Sequence, residues 1–319
     1  MKQLLFLKWI LGISAGLTLA IGQFAAIGVS YGKTSAAEIE EYKKAVEQGD
    51  LNAMYNLGFC YMQGDGVAVN KKEAIRLWKT AAEKGDRVAQ FNLGIAYAIG
   101  EGVSKNAKEA FMWKKKAAEQ GHTDALFDVA WHYENGNGVK KNMKEALYWY
   151  KKAADLGHTD AQLNLGILYY YGKGCKEDYK TAFELFSKVA ATGNHVGERY
   201  VGEMYYLGRG VKKDAKEAVK WLKKSADKGN AYAQLNLGLC YADGFGVKQN
   251  HSQAAKWYRK AAERGLAPAQ YNLARYYGEG IGVPENYNEC VKWLKRAAKQ
   301  GHKKSIETIN KIIDKYGEL

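Results

Sequence analysis

Residues 64–86 read GDGVAVNKKEAIRLWKTAAEKGD, residues 100–122 read GEGVSKNAKEAFMWKKKAAEQGH, and residues 136–158 read GNGVKKNMKEALYWYKKAADLGH. The phrase returns every 36 residues without an insertion. A fixed period of that size is the mark of a stacked repeat array. It overrides the two-domain expectation that a chain of 319 residues would otherwise raise. One unit of such an array cannot bury its apolar face alone, so the phrase has to recur for a core to exist.

Seven copies align over 53–88, 89–124, 125–160, 161–196, 197–232, 233–268 and 269–304. Four residues into each stands Leu57, Leu93, Val129, Leu165, Val201, Leu237 or Leu273, and eight residues in stands a tyrosine, from Tyr61 to Tyr277. Offsets of four and eight place these on one helical face, which predicts a first helix, A, with that face in the core. Gly58, Gly94, Gly202 and their counterparts lie between them and would let a neighbouring helix approach closely. A glycine pair, Gly64 and Gly66 in the first copy, then stops helix A.

A second helix, B, is predicted to start at Asn70, Asn106, Asn142, Asp178, Asp214, Asn250 and Asn286. Glu or Gln stands three residues after most of these, the pattern of a capping box. The recurring acids are therefore caps rather than catalytic carboxylates. Helix B carries an aromatic anchor, Trp113, Trp149, Trp221, Trp257 and Trp293, opposite small residues, which is the pattern of core.

The consensus A-x-x-x-L-G-x-x-Y-x-x-G-x-G-V-x-x-N-x-x-x-A-x-x-W-Y-x-K-A-A-x-x-G resembles the Sel-one-like repeat family, relatives of the tetratricopeptide repeat, over residues 53–304. The resemblance implies an all-α, right-handed superhelical solenoid of seven helix-turn-helix repeats that binds other proteins on a concave face lined by the A helices. Residues 33–52 are expected to form an N-terminal capping helix and 305–319 a C-terminal one, which keep the ends of a solenoid soluble. The family includes scaffolds, periplasmic regulators, host-interaction factors and immunity proteins that sequester phospholipase toxins. Its cysteine-rich members are credited with β-lactam binding. Their paired cysteines are missing here, where Cys60, Cys175, Cys240 and Cys290 read as free thiols.

Residues 1–32 stand apart. Lys2 and Lys8 precede the uncharged run WILGISAGLTLAIGQFAAIGVSY, residues 9–31, which is either a cleaved signal peptide or an inner-membrane anchor. Both place the repeats in the periplasm or outside the cell. The formal net charge is +14. That balance suits an acidic protein partner or an anionic surface, and export disfavours nucleic acid.

The candidate partner-binding residues lie on the side of helix A opposite its core stripe: Trp131, Tyr170, Tyr171, Arg199, Glu203, Tyr206, Tyr271 and Arg275. The fifth copy departs most from its siblings, with Arg199 and Glu203 where the others are mostly apolar. Arg and Tyr projecting together are typical of binding hot spots, while Arg199 and Glu203 are also spaced to pair with each other. A basic rim on helix B, Lys116, Lys152, Lys188, Lys224, Lys260 and Arg296, is a second candidate surface, or else a solvated face balanced by acids three residues on. His122, His158 and His302 share one repeat position, and successive copies of that position lie ~10 Å apart, too far to share a metal. No H-E-x-x-H or C-x-x-C motif occurs, and the two G-x-S-x-G matches, at 12–16 and 28–32, lie in the apolar N-terminal segment rather than at a strand-to-helix turn, so no enzyme, metal or cofactor is expected. The function expected is a protein-interaction adaptor of the bacterial envelope. An immunity protein against a secreted toxin and a cell-wall glycan-binding protein are the alternatives.

Overall fold

Six of the seven A helices open on a side chain that accepts a backbone N–H in the first turn, and the seventh opens on Leu266 with a proline in its first turn instead. Every helix A also closes on a left-handed glycine. The computed structural model describes residues 33–317, which hold sixteen helices and no strand. The segment read as a signal peptide or anchor lies outside the described residues.

Helix α1, Ala36–Glu47, precedes the repeats. The A helices are α2 Leu51–Gln63, α4 Arg87–Ile99, α6 Thr123–Asn135, α8 Thr159–Tyr171, α10 His195–Leu207, α12 Ala231–Asp243 and α14 Ala267–Glu279. The B helices between them are α3 Lys71–Glu83, α5 Ala107–Glu119, α7 Met143–Asp155, α9 Tyr179–Ala191, α11 Ala215–Asp227, α13 His251–Glu263 and α15 Tyr287–Lys299. Helix α16, Lys303–Tyr316, follows and packs on α15. The helices form two compact units. One runs to Leu168 and takes in Gly172–Lys176; the other comprises Tyr169–Tyr171 and the chain from Glu177. Within each unit, helices consecutive in sequence pack on one another, which makes the fold an all-α solenoid.

The expected stripe is core: Leu57, Leu93, Val129, Leu165, Val201, Leu237 and Leu273 are all buried. The small residue beside each lets the next helix close in. A Cβ on Gly58 would strike Trp78, on Gly94 the stem of Lys114, and on Gly238 the ring of Tyr258. The deepest position of helix B is thus one residue beyond the tryptophan ladder, at Trp78, Tyr150, Phe186, Leu222, Tyr258 and Leu294. Of the ladder, Trp113, Trp149 and Trp293 are buried, whereas Trp221 and Trp257 are half-buried. The aligned tyrosines are half-buried in six repeats and buried only at Tyr277.

The two glycines of the loop differ in purpose. Gly136 has φ +72° and ends α6 by donating to the His132 carbonyl. Gly138 has φ +70° and presses on the start of the preceding B helix, where a Cβ would overlap the Ala107 carbonyl. The first terminates a helix; the second locks one repeat against the previous one.

The capping box is half present on the B helices. Asn70 Oδ1 accepts from Glu73 N at 3.1 Å, as expected. The return bond from the glutamate is missing, because the N-cap N–H is already satisfied: Asn70 N donates to the Tyr61 carbonyl at 2.8 Å, and Asn106, Asn142, Asp214, Asn250 and Asn286 do the same with their own tyrosine. The glutamates are freed for other partners. Glu109, Glu145 and Glu289 accept the indole N–H of Trp113, Trp149 and Trp293 at 3.2, 3.1 and 3.0 Å. The complete box stands at Ser35 and Glu38, where α1 begins.

Candidate partner-binding surface

Asn194 caps α10 by accepting from Val196 N and Gly197 N at 2.9 and 3.2 Å. Val201, Gly202 and Met204 face the core, and the rotation this sets brings Arg199, Glu203 and Tyr206 to the other side. Arg199 Nη1 donates to Glu203 Oε2 at 2.7 Å, with side chains 13% and 24% exposed. The guanidinium also lies 3.7 Å from the Tyr200 ring centroid and 5.6 Å from that of Tyr232. The two sequence readings of Arg199 and Glu203 are therefore compatible: the local pair forms, and it forms in an aromatic setting that shields it more than an exposed helix pair. Tyr206 packs edge-on against Phe245 at 4.6 Å. With Glu203, Leu207, Asn236 and Leu239 it lines a depression of about 110 Å³ between α10 and α12. Burial, then the nearby Cys240 and Asp243, push the Tyr206 hydroxyl above its ordinary range.

Tyr170 and Tyr171 separate. Tyr170 was expected on the open side of helix A; it is 3% exposed, in core. Its ring meets Tyr179, Tyr200 and Phe186 at 5.5, 5.8 and 6.3 Å, and its hydroxyl accepts from Arg209 Nη1 at 2.9 Å. Met62 is buried at the same repeat position, whereas Glu134 and Tyr206 there are half-buried, so this position is closed in some repeats and open in others. Tyr171 is 52% exposed, next to Tyr200 and Glu203. Tyr271 is half-buried against His302 at 5.2 Å, and Arg275 is exposed with its guanidinium 5.7 Å from the Tyr276 ring. No described contact joins these two to the Arg199 cluster.

Trp131, in the other unit, stands in a groove of about 330 Å³ between α6 and α8. Phe127, Leu163 and Ile167 supply apolar lining; Glu134 and Asp160 supply carboxylates. Phe127 is buried and stacks flat on His158 at 4.7 Å.

The basic rim is held differently from its expected balance by acids. Lys116, Lys152, Lys224 and Lys260 place Nζ 4.3, 5.3, 4.4 and 4.1 Å from the ring centroids of Trp113, Trp149, Trp221 and Trp257, and Arg296 sits 4.7 Å from Trp293. Lys188 has no such ring, since Leu185 fills the position. The three-residue spacing that would set these cations beside acids sets them over indoles instead.

Two of the three recurring histidines cap helices, while His302 Nδ1 meets the Ser305 hydroxyl instead. His122 Nδ1 accepts from Ala125 N at 3.3 Å and His158 Nδ1 from Ala161 N at 3.2 Å, at the positions where Asp50, Asp86 and Asn230 cap their own helices. Burial holds His122 below its ordinary range, which keeps that nitrogen an acceptor. Cys60, Cys240 and Cys290 are buried thiols outside any disulfide, and burial pushes Cys240 up to about 12. Among the described residues no group of three His, Cys, Asp or Glu side chains could hold a metal ion, and no helix is long and apolar enough to cross a membrane.

Sequence reasoning missed two departures inside the core. Lys114 occupies the deep aromatic position of helix B and Asp128 the place held by Asn56, Asn92 and Asn164; they pair at 2.6 Å, 1% and 6% exposed. Glu198 replaces the glutamines that clasp successive repeats. Gln90, Gln162, Gln234 and Gln270 donate Nε2 to Ala82, Ala154, Ala226 and Ala262 carbonyls. Glu198 instead accepts from Lys228 Nζ at 2.6 Å and leaves Oε2 buried without a partner. Both departures could have been found by comparing the copies position by position.

An array of capped helix pairs with aromatic and apolar side chains on its A helices defines a helical-repeat scaffold. The chain belongs to the Sel1 repeat family, whose model matches residues 51–86, 87–122, 123–158, 159–194, 195–230, 231–266 and 267–302. The fold is typical of protein–protein interaction, and the family's members are generally non-catalytic scaffolds. The chain is similar to c5321, a protective antigen of uropathogenic Escherichia coli strains, at 33% identity and a TM-score of 0.77, covering 88% of this chain and 60% of that one. It thus spans about 60% of the antigen's length. A Sel1 repeat protein from Oxalobacter formigenes is 30% identical with a TM-score of 0.66, covering 86% of this chain and 80% of that one. The immunity protein Pa5087 of Pseudomonas aeruginosa aligns at 20% identity over 68% of this chain and 83% of its own, with a TM-score of 0.41. No curated protein matches the sequence.

Proposed function

We propose that this chain is a non-enzymatic interaction scaffold of the bacterial envelope that binds a partner protein through its A helices, centred on the fifth repeat. One observation carries the reading. Around the Arg199–Glu203 pair, Tyr171, Tyr232 and Leu207 are 52%, 57% and 44% exposed, although each is a large apolar or aromatic side chain. Such side chains around a shielded arginine have the composition of a binding hot spot. Lys2, Lys8 and the apolar run at 9–31 support a position outside the cytoplasm.

The test is affinity capture from envelope extract with residues 33–319. The control bait carries Arg199→Ala, Glu203→Ala and Tyr206→Ala, with its folding checked by circular dichroism. A protein retained by the parent and lost by the folded control supports the site, and a secreted toxin in that role would specify the scaffold as an immunity protein. Identical captures by both baits refute the fifth-repeat assignment.

A further inference from the structure

The groove between α6 and α8 is chemically unlike the rest of this basic chain. Its lining contains no lysine or arginine, and two of its residues, Glu134 and Asp160, are carboxylates. Glu134 is also held in place. Buried Tyr150 donates its hydroxyl to Glu134 Oε2 at 2.8 Å, and Asn164 Nδ2 donates to that hydroxyl oxygen at 3.1 Å. The chain of bonds fixes one carboxylate oxygen and leaves Oε1 without a donor among the described residues. Burial first, and then the Glu134 charge, push the Tyr150 hydroxyl well above its ordinary range, so it stays a donor.

Trp131 stands three residues before Glu134 on α6, so indole and carboxylate share one helix face. Opposite, Asp160, Leu163, Asn164 and Ile167 follow one another along the facing side of α8. We infer that this groove receives an arginine side chain of the partner, with its guanidinium against Trp131, its N–H groups on Glu134, and its methylene stem along Leu163 and Ile167. Charge complementarity selects a cation. The combination of a flat aromatic wall with an oriented carboxylate selects a planar guanidinium over a compact ammonium. The groove lies in the unit that does not contain Arg199, so it supplies recognition chemistry separate from the fifth-repeat cluster.

This inference rests on the scaffold reading for its biological partner, but its chemistry can be tested without one. The full-length chain, labelled with fluorinated tryptophan, is titrated with the blocked tripeptide acetyl-Gly-Arg-Gly-amide. The resonance absent from Trp131→Phe reports the groove. The expected result is a saturable shift, at least about tenfold weaker for the citrulline tripeptide and for Glu134→Gln, and weakened by added salt. Glu134→Gln keeps an oxygen acceptor for Tyr150, so it removes charge with little disturbance of the fold. A lysine tripeptide that binds as well as the arginine one overturns the choice of guanidinium. A citrulline tripeptide that binds equally, or the absence of a saturable shift, overturns the inference. Failure of the Arg199 capture experiment alongside a positive titration would refute the fifth-repeat assignment and leave the groove intact.

Discussion

Lys114 and Asp128 are the deepest ion pair among the described residues, and removing either partner should destabilise its unit sharply. The side chains are almost completely buried and 2.6 Å apart, so truncation leaves a charge in the core. Breaking such a pair typically costs about 3–5 kcal/mol. In Lys114→Met the methionine keeps the stem that packs over Gly94, so little cavity cost is added. Lys114→Met is therefore expected to lose about 3–5 kcal/mol, and Asp128→Asn a similar amount, by the range for broken buried pairs. The double variant should return to within about 1 kcal/mol of the parent, since like-sized apolar or neutral replacements of buried pairs are close to neutral. Asn is already the residue at this position in the copies holding Asn92 and Asn164. Urea unfolding reads the global effect. Native-state amide exchange over α5 and α6 reads the local one, because a linear array can open repeat by repeat. Single variants that lose under about 1 kcal/mol, or a double variant as unstable as the sum of the singles, would refute a dominant buried pair.

Two further expectations concern buried titratable groups. His132 is buried, with Nδ1 2.6 Å from the Asn137 carbonyl, beside Lys114, Asp128, Phe111 and Trp131; burial first, then the Lys114 charge, lower it to about 4. The unfolded state then binds the extra proton between about pH 6.5 and 4. The contribution is full above that window and lost as pH falls, by about 2.5 kcal/mol at pH 4.5. His132→Asn keeps a donor for Asn137 and should flatten that part of the urea-midpoint profile; an unchanged slope would show that another group titrates. Glu198→Gln should restore the Nε2 donor used at Gln90 and Gln234 and stabilise its unit by about 1 kcal/mol, since the Lys228 partner it forfeits is 42% exposed and worth little. A lower urea midpoint in this variant would mean that the ion pair outweighs the orphaned oxygen.

The repeat, its two helices, the Leu57-type stripe and the caps at Asn70 and its counterparts were legible in the sequence because they depend on local spacing. Periodicity reports which side of a helix is apolar, and capping reaches only three residues. The surface was less legible. Tyr170 and Tyr171 are adjacent in sequence, yet one is core and the other open, because Phe186, Tyr200 and Arg209 come from later elements to cover Tyr170. The basic rim had the right residues with the wrong partners: i to i+3 geometry offered both acids and indoles, and only packing chose the indoles.

The array is written into the chain locally: a period of 36 residues, helix starts and stops in Asn, Asp, His and Gly, and a stripe of small and branched residues that can only be satisfied by the next copy. Where each copy breaks the rule depends on packing. Lys114 meets Asp128, Tyr150 orients Glu134, and Arg199 sits between Glu203 and two tyrosine rings. The physical reason is one of range. Helices and caps are set by groups within four residues, whereas the cost of a buried charge and the shape of a groove depend on side chains that only packing brings together.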